Sequence, residues 1–384
     1  MKHIYLDNAA TTALAEEVAD AMVPVLKEVF GNPSSSHAVG RKAKALIETS
    51  RRDIASRLHC EPKSIIFTSG GTEADNLALR SAVIDLGCER IVTSAAEHSA
   101  VVASAAKMAA VFGVEVVNVK HLTDGTVDCE NLVQILSSGP KTIVSLMHAN
   151  NEVGVIQPLE KISHICHAAG AYFHSDTVQT MGHYEFDLEL LNIDFITCSA
   201  HKFHGPKGTG FLYVNPKNHI RSQIVGGGQE RGLRSGTENL HGIVGLAKAI
   251  NLAYDDLEAH DQHVRAMKKR MVDGLRERIE GIDFNANSDR TDRLYTVLNV
   301  KFPPHPNTGM ALFLLDLEGI ACSGGSACSS GATKGSHVLN SLGYHDPQRA
   351  SLRFSFSRYT TEQDIDTALE AISRVFAPVE EHAG

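Results

Sequence analysis

The chain predicts an α/β fold, a mostly parallel sheet with helices on both faces, accompanied by a smaller α+β unit. Three observations predict it. Short β-branched runs alternate with longer amphipathic or alanine-rich stretches between residues 65 and 214, which is the rhythm of βαβ units. That rhythm changes near Glu238, where a long helical region begins. The length, 384 residues, exceeds what one minimal core needs and suits a large unit with a small one.

The strand candidates are residues 65–68, 90–93, 115–119, 142–147, 172–174, 194–198 and 210–214, seven in all. Helical patterns lie between most of them, for example over 73–86, 100–111 and 159–169. Beyond Glu238 the helical region runs toward Ile279 with a weak break around His260. A strand at 294–302, a helix near 310–317, a strand at 351–356 and a closing helix at 361–376 follow. The proline-rich piece 303–306 suits a surface turn. The first dozen residues precede the alternation and are assigned to the smaller unit. The expected division is a large domain over 15–256 and a small domain made of 1–14 and 257–384.

Composition narrows the function classes. A formal net charge of -9 leaves no basic excess to neutralise phosphates, which argues against a DNA-binding protein. The most apolar long window, residues 100–119, is interrupted by Lys107, Glu115 and Asn118, so no membrane span is expected. No long apolar stretch follows the basic residues at the start, so no secretory signal is expected. The 7 cysteines are odd in number, dispersed and free of C-x-x-C pairs, which suits a reducing, cytoplasmic setting. His164-Ile165-Cys166-His167 offers ligand-type residues, but on a helical pattern without a second cluster at zinc spacing, and no metal site is expected.

Three motifs fall just after strands, where ligand sites gather in open parallel sheets. Thr68-Ser69-Gly70-Gly71-Thr72-Glu73 is a glycine-rich turn into a helix, whose backbone N–H groups favour an anion. An N-capped tight turn would read the same way. In His174-Ser175-Asp176-Thr177-Val178-Gln179 the acid can hold a protonated ring nitrogen, or cap a helix. In Ser199-Ala200-His201-Lys202-Phe203-His204-Gly205 a lysine stands beside groups that lower its pKa, as Schiff-base chemistry requires. A solvated loop lysine is the alternative. What favours chemistry is the order of anion turn, acid and lysine along one sheet.

These motifs resemble the fold-type I pyridoxal-phosphate enzymes of the class V aminotransferase group, and among them the cysteine desulfurases of the nitrogen-fixation and iron–sulfur-assembly type. Tyr5-Leu6-Asp7-Asn8-Ala9-Ala10-Thr11-Thr12, Gly31-Asn32-Pro33-Ser34-Ser35, His148-Ala149-Asn150-Asn151-Glu152-Val153-Gly154, the segment 226–239 and the cysteine loop near Cys328 carry the same resemblance. It implies pyridoxal 5′-phosphate as cofactor, held by Lys202, which also moves the substrate's α-proton. Asp176 keeps the ring nitrogen protonated, Gln179 donates to the ring oxygen, and Gly71, Thr72, Ser199 and His201 bind the phosphate. His98 stacks on the ring, although a histidine opening a helix would look alike. Thr237 reaches the phosphate of a second subunit, which implies a homodimer. Arg353 binds the substrate carboxylate, assisted by Asn151 and Asn32.

The resemblance makes Cys328, in Cys322-Ser323-Gly324-Gly325-Ser326-Ala327-Cys328-Ser329-Ser330-Gly331, the cysteine that becomes a persulfide. Small residues around it describe a loop rather than a core strand. A thiolate nucleophile is favoured by a neighbouring cation or by His98. Cys322, nearer the preceding apolar stretch, reads as structural. The implied activity is removal of sulfur from L-cysteine, giving L-alanine, with delivery to an acceptor protein such as an iron–sulfur cluster scaffold. Selenocysteine lyase and an aminotransferase relative are the alternatives on the same scaffold.

Overall fold

The computed structural model describes residues 3–324 and 335–377. In chain order the N-terminal third contains β1 (Ile4–Tyr5), α1 (Glu16–Glu28), α2 (Ala38–Arg57), β2 (Ile65–Thr68), α3 (Gly71–Ile84), β3 (Arg90–Thr93) and α4 (Ser99–Phe112). Next come β4 (Glu115–Asn118), α5 (Cys129–Leu136), β5 (Thr142–Ser145), α6 (Leu159–Ala168), β6 (Tyr172–Asp176), α7 (Leu188–Leu191), β7 (Phe195–Ser199) and β8 (Gly210–Val214). Two long helices follow, α8 (Leu240–Asp255) and α9 (Leu257–Arg278). The remainder holds β9 (Asp283–Phe284), β10 (Val297–Lys301), α10 (Ala311–Leu317), β11 (Ile320–Ala321), β12 (Ser323–Gly324), α11 (His337–Ser341), β13 (Ser351–Ser355) and α12 (Glu362–Val375).

The 7-stranded sheet runs in the order β2-β8-β7-β6-β5-β3-β4. All its pairings are parallel except those of β8, which lies antiparallel to both β2 and β7. Its central strands are buried on both faces, and their alternating side chains feed two different cores. Ile66, Ile91, Ile143, Phe195 and Leu212 pack against α3 and α4. Ile65, Phe67, Val92, Val144, Ile196 and Phe211 pack on the other face with residues of α2, α6 and α8. This is the two-faced, mostly parallel sheet the sequence predicts.

A second sheet of 4 strands, β12-β13-β10-β9, is antiparallel, and β1 pairs with β11 in a two-stranded parallel piece. Met271, Leu298, Phe302, Phe354 and Ile372 form its core, and Leu6 from the N-terminal segment joins them. Thr361 caps α12 with a reciprocal Thr361–Asp364 capping box, which fixes the start of the closing helix.

Several boundaries differ from the sequence reading. The long helical region breaks at Asp256 (φ -119, ψ 19), whereas His260 lies inside α9 and donates its backbone N–H to the Asp256 carbonyl. Asp255 and Asp256 are adjacent residues of poor helix propensity, so the chain bends there. The strand expected at 294–302 begins only at Val297, because Leu294 turns to donate its N–H to the Gly154 carbonyl. β6 runs on to Asp176 and thereby carries that acid to its carboxyl end. Among the described residues, no helix is long and apolar enough to cross a membrane.

Candidate active site

A cavity of about 460 Å³ opens at the carboxyl ends of the parallel strands. One wall is the head of α3. Gly70 has φ 147, a left-handed conformation that glycine alone adopts readily, and α3 starts at the next residue. A Cβ on Gly71 would lie 2.8 Å from Val178 Cγ2, so the small residue permits the close approach of the loop after β6. Glu73 ties the turn down, accepting from the Ser69 N–H at 2.8 Å and from Arg234 Nε at 2.8 Å. Gly71, Thr72, Ser199 and His201 all line this end of the cavity, offering a helix N-terminus, two hydroxyls and an imidazole. Burial, with Lys202 and Lys207 nearby, pushes His201 down to about 4 and keeps it neutral.

Lys202 closes the short helical turn 200–202 that follows β7, and Phe203 beside it is buried. The Lys202 Nζ donates to the carbonyls of Ala9 at 2.7 Å and Ala10 at 3.0 Å. The N-terminal segment is in turn fixed to this turn, since Thr12 donates its N–H to the His201 carbonyl and Ala15 to that of His204. Gln179 Nε2 also donates to the Ala9 carbonyl, at 3.0 Å.

Asp176 lines the same cavity, 6% exposed, accepting from the Val178 N–H at 2.9 Å. His98 opens α4, and its Nδ1 accepts from the Ala100 N–H at 3.2 Å while the ring lines the cavity. The helix-start role and the cavity role therefore coincide in one residue. A second acid, Asp75, projects from α3 into the same space. The ligand-type atoms of Asp75, His98 and Asp176 all lie within 4.8 Å of one another. Burial pushes Asp75 up to about 7, and burial together with Asp75 raises Asp176 to about 6 despite the opposing pull of His98. Burial lowers His98, and Asp176 partly offsets that.

Arg353 of β13 enters the cavity from the small sheet. Its Nη2 donates to Asp7 Oδ1 at 2.8 Å and its Nη1 to the Asn151 carbonyl at 2.9 Å. Ser323 Oγ donates to the same Asp7 oxygen at 2.7 Å. The arginine is 5% exposed, and its Nε is buried without a hydrogen-bond partner among the described residues.

The cavity thus gathers Gly71, Thr72, His98, Asn151, Asp176, Gln179, Ser199, His201, Lys202 and Arg353. It does not gather Asn32, expected to assist Arg353, and Thr237, expected at the phosphate of a second subunit, also lies outside it. Asn32 is exposed elsewhere, its Oδ1 accepting from the Ser34 N–H at 2.9 Å. Thr237 is exposed in a separate hollow of about 190 Å³ with Ser69, Arg234 and Glu230. Cys328 lies outside the described residues. Burial pushes the Cys322 thiol up to about 12, which leaves it a poor nucleophile.

Sequence reasoning missed Asp75, His337 and the Ala9–Ala10 carbonyls. Asp75 stands one helical turn after Gly71 and so shares its face, two residues beyond the glycine-rich motif. His337 lines the cavity from α11 and meets the Glu97 carbonyl through Nε2 at 2.9 Å. Nothing in its local sequence signals that position.

The donor set fits pyridoxal phosphate. The cavity lining combines an anion cradle, with a glycine where a Cβ would collide, a buried carboxylate and a lysine amine. Comparison with known proteins agrees. The model of the family aminotransferase class-V matches residues 4–368. A cysteine desulfurase of Gluconacetobacter diazotrophicus is 41% identical over 389 residues, covering 99% of this chain and 95% of that protein. The cysteine desulfurase IscS of Dictyoglomus turgidum is 38% identical over 377 residues, covering 97% and 94%. The solved structure of a NifS-like protein superposes with a TM-score of 0.88 at 35% identity, covering 97% and 99%.

Proposed function

The chain belongs to the aminotransferase class-V family, and from that premise we propose that it is a pyridoxal-phosphate-dependent cysteine desulfurase. The observation that carries the reading is the convergence of Lys202, Asp176, the head of α3 and Arg353 on one cavity. Pyridoxal phosphate, when bound, supplies a conjugated ring that accepts the electron pair released at the substrate's α-carbon. The residues of the chain do the rest. The α3 head, Thr72, Ser199 and His201 hold the phosphate. Asp176 keeps a proton on the ring nitrogen, and Gln179 orients the ring oxygen.

Arg353 grips the L-cysteine carboxylate through its planar fork, with Asn151 beside it, and so aims the α-hydrogen at Lys202. Lys202 takes that proton and returns it. His98, which lines the cavity, would stack on the ring and take part in the proton transfer. The Cys328 thiol gives up its proton and the thiolate attacks the substrate sulfur. The Cβ–S bond breaks with its electron pair going to Cβ, which takes up one proton in place of the one the thiol released, and the sulfur stays on Cys328 as a persulfide while L-alanine leaves. An acceptor protein, such as an iron–sulfur cluster scaffold, then removes the sulfur. Thr237, outside this chain's own cavity, completes the phosphate site of a second copy in a homodimer.

The test is direct. The purified protein should be yellow, and borohydride should bleach it while adding the mass of reduced cofactor at Lys202. It should convert L-cysteine to L-alanine and, with a thiol reductant, sulfide. A protein that takes up no pyridoxal phosphate, or that transfers amino groups to keto acids without releasing sulfur, overturns the reading. A higher rate on selenocysteine that is independent of Cys328 would favour a selenocysteine lyase.

A further inference from the structure

Asp75 has no role in the reaction above, yet it lines the same cavity, is 1% exposed, and presents an oxygen, Oδ1, with no hydrogen-bond partner among the described residues. The nearest imidazole nitrogen is His174 Nε2 at 3.5 Å, too far for a good hydrogen bond. His174 is engaged elsewhere, through Nδ1 with Ser145 Oγ at 2.8 Å and through Nε2 with Thr197 Oγ1 at 3.1 Å. The groups facing Asp75 are His174 and Asp176 from β6, Thr197 from β7, His98 and Glu97 at the head of α4, and Lys202 beyond β7. Burial pushes the Glu97 carboxyl well up and lowers His174 to about 4, in both cases toward the neutral form.

Two buried carboxylates whose oxygens lie within 4.8 Å of one another each oppose the other's ionisation, so they titrate as a pair. Partners decide which one keeps the proton. Asp176 accepts a backbone N–H and faces His98, whereas Asp75 has only the Thr197 hydroxyl. We propose that Asp75 is a positioning residue for Asp176: it retains the proton of the carboxyl pair, so that the single negative charge stays on Asp176, against the cofactor's ring nitrogen. An ionised Asp75 would compete with Asp176 for that positive ring and pull it off the line set by Lys202 and the phosphate cradle. The inference rests on the cavity being a pyridoxal-phosphate site.

The test is infrared difference spectroscopy of the holoenzyme between about pH 6 and about pH 9, with the visible absorption followed in parallel. The wild-type protein should show a protonated-carboxyl band that disappears on the alkaline side, with a change in cofactor absorption at the same midpoint. Asp75→Asn should lack both. A band and midpoint unchanged in Asp75→Asn would overturn the proposal, as would a band lost only in Asp176→Asn. Should Asp75→Asn not fold, Thr197→Val serves instead. It removes the donor that favours ionised Asp75 and should raise the midpoint by about 1 unit, and no rise refutes the idea. A protein that binds no pyridoxal phosphate defeats the functional reading instead, and the band of the cofactor-free protein still reports on Asp75.

Discussion

Arg353→Lys separates substrate binding from cofactor chemistry. Two of the three guanidinium nitrogens are fixed, Nη2 by Asp7 at 2.8 Å and Nη1 by the Asn151 carbonyl at 2.9 Å, which orients the planar group without rotamer freedom. A lysine places one ammonium where the fork stood. It can satisfy Asp7 or the incoming carboxylate with good geometry, not both at once. The loss is one charge-assisted hydrogen bond, about 1.5–3 kcal/mol. At 1.4 kcal/mol per decade this lowers kcat/KM for L-cysteine about 10- to 150-fold. The carboxylate carries the same charge in ground and transition states, so the loss should fall on KM, with kcat nearly unchanged. Alanine formation against cysteine concentration, at equal cofactor content, measures it. A KM within about threefold of the wild type, or a collapse of kcat at constant KM, would refute the assignment of Arg353.

Cys328→Ser should abolish sulfide release while the yellow colour persists, and normal turnover in that variant would remove Cys328 from the reaction. Gly70→Ala forces a side chain onto φ 147, at a cost of about 1–3 kcal/mol, and displaces the phosphate cradle. It should lose pyridoxal phosphate on desalting, and full retention with an unchanged urea midpoint would contradict the account of the turn. His260 is 3% exposed, with both ring nitrogens lacking partners among the described residues, and it stacks on His183 at 5.3 Å. Burial pushes it down to about 2, with His183 adding to the effect, so the unfolded chain binds a proton below about pH 6.5 that the native state refuses. Stability carried by neutral His260 is therefore present above pH 6.5 and falls with pH below it, by about 1.4 kcal/mol per unit. His260→Phe should unfold at about 1 kcal/mol higher stability near neutrality and lose less on acidification to about pH 5. Equal drops in urea midpoint for both proteins would dismiss this origin of acid sensitivity.

What the sequence disclosed and what it withheld divide along one line, the distance over which a signal is written. The Gly70-Gly71-Thr72 turn, Asp176 and Lys202 each stand at the end of a strand with its own local pattern, so their convergence follows once the strands are placed in one sheet. The sheet itself was legible because its strands alternate between two apolar cores, one holding Ile66 and Phe195, the other Phe67 and Ile196. Contacts made across the whole chain leave no such trace. The Arg353–Asp7 pair joins residues 346 positions apart, and the Lys202 amine rests on carbonyls 192 and 193 positions away. Backbone carbonyls carry no residue signature at all, so Ala9 and Ala10 could be found only in three dimensions. The break at Asp256 was misplaced because helix propensity changes by tenths of a kcal/mol per residue, which packing on either side overrides. Asp75 was withheld for a different reason. It is a buried acid of α3 whose role depends on the charge of a second acid, brought beside it at the end of β6, and that is a property of the pair. The N-terminal strap deserves the same reasoning. Its carbonyls hold the Lys202 amine, its Asp7 orients Arg353, and its Leu6 is packed in the second core. One short segment therefore ties the Lys202 amine to the carboxylate clamp, held on one side by Ser355 of the small sheet and on the other by the turn after β7 of the large one.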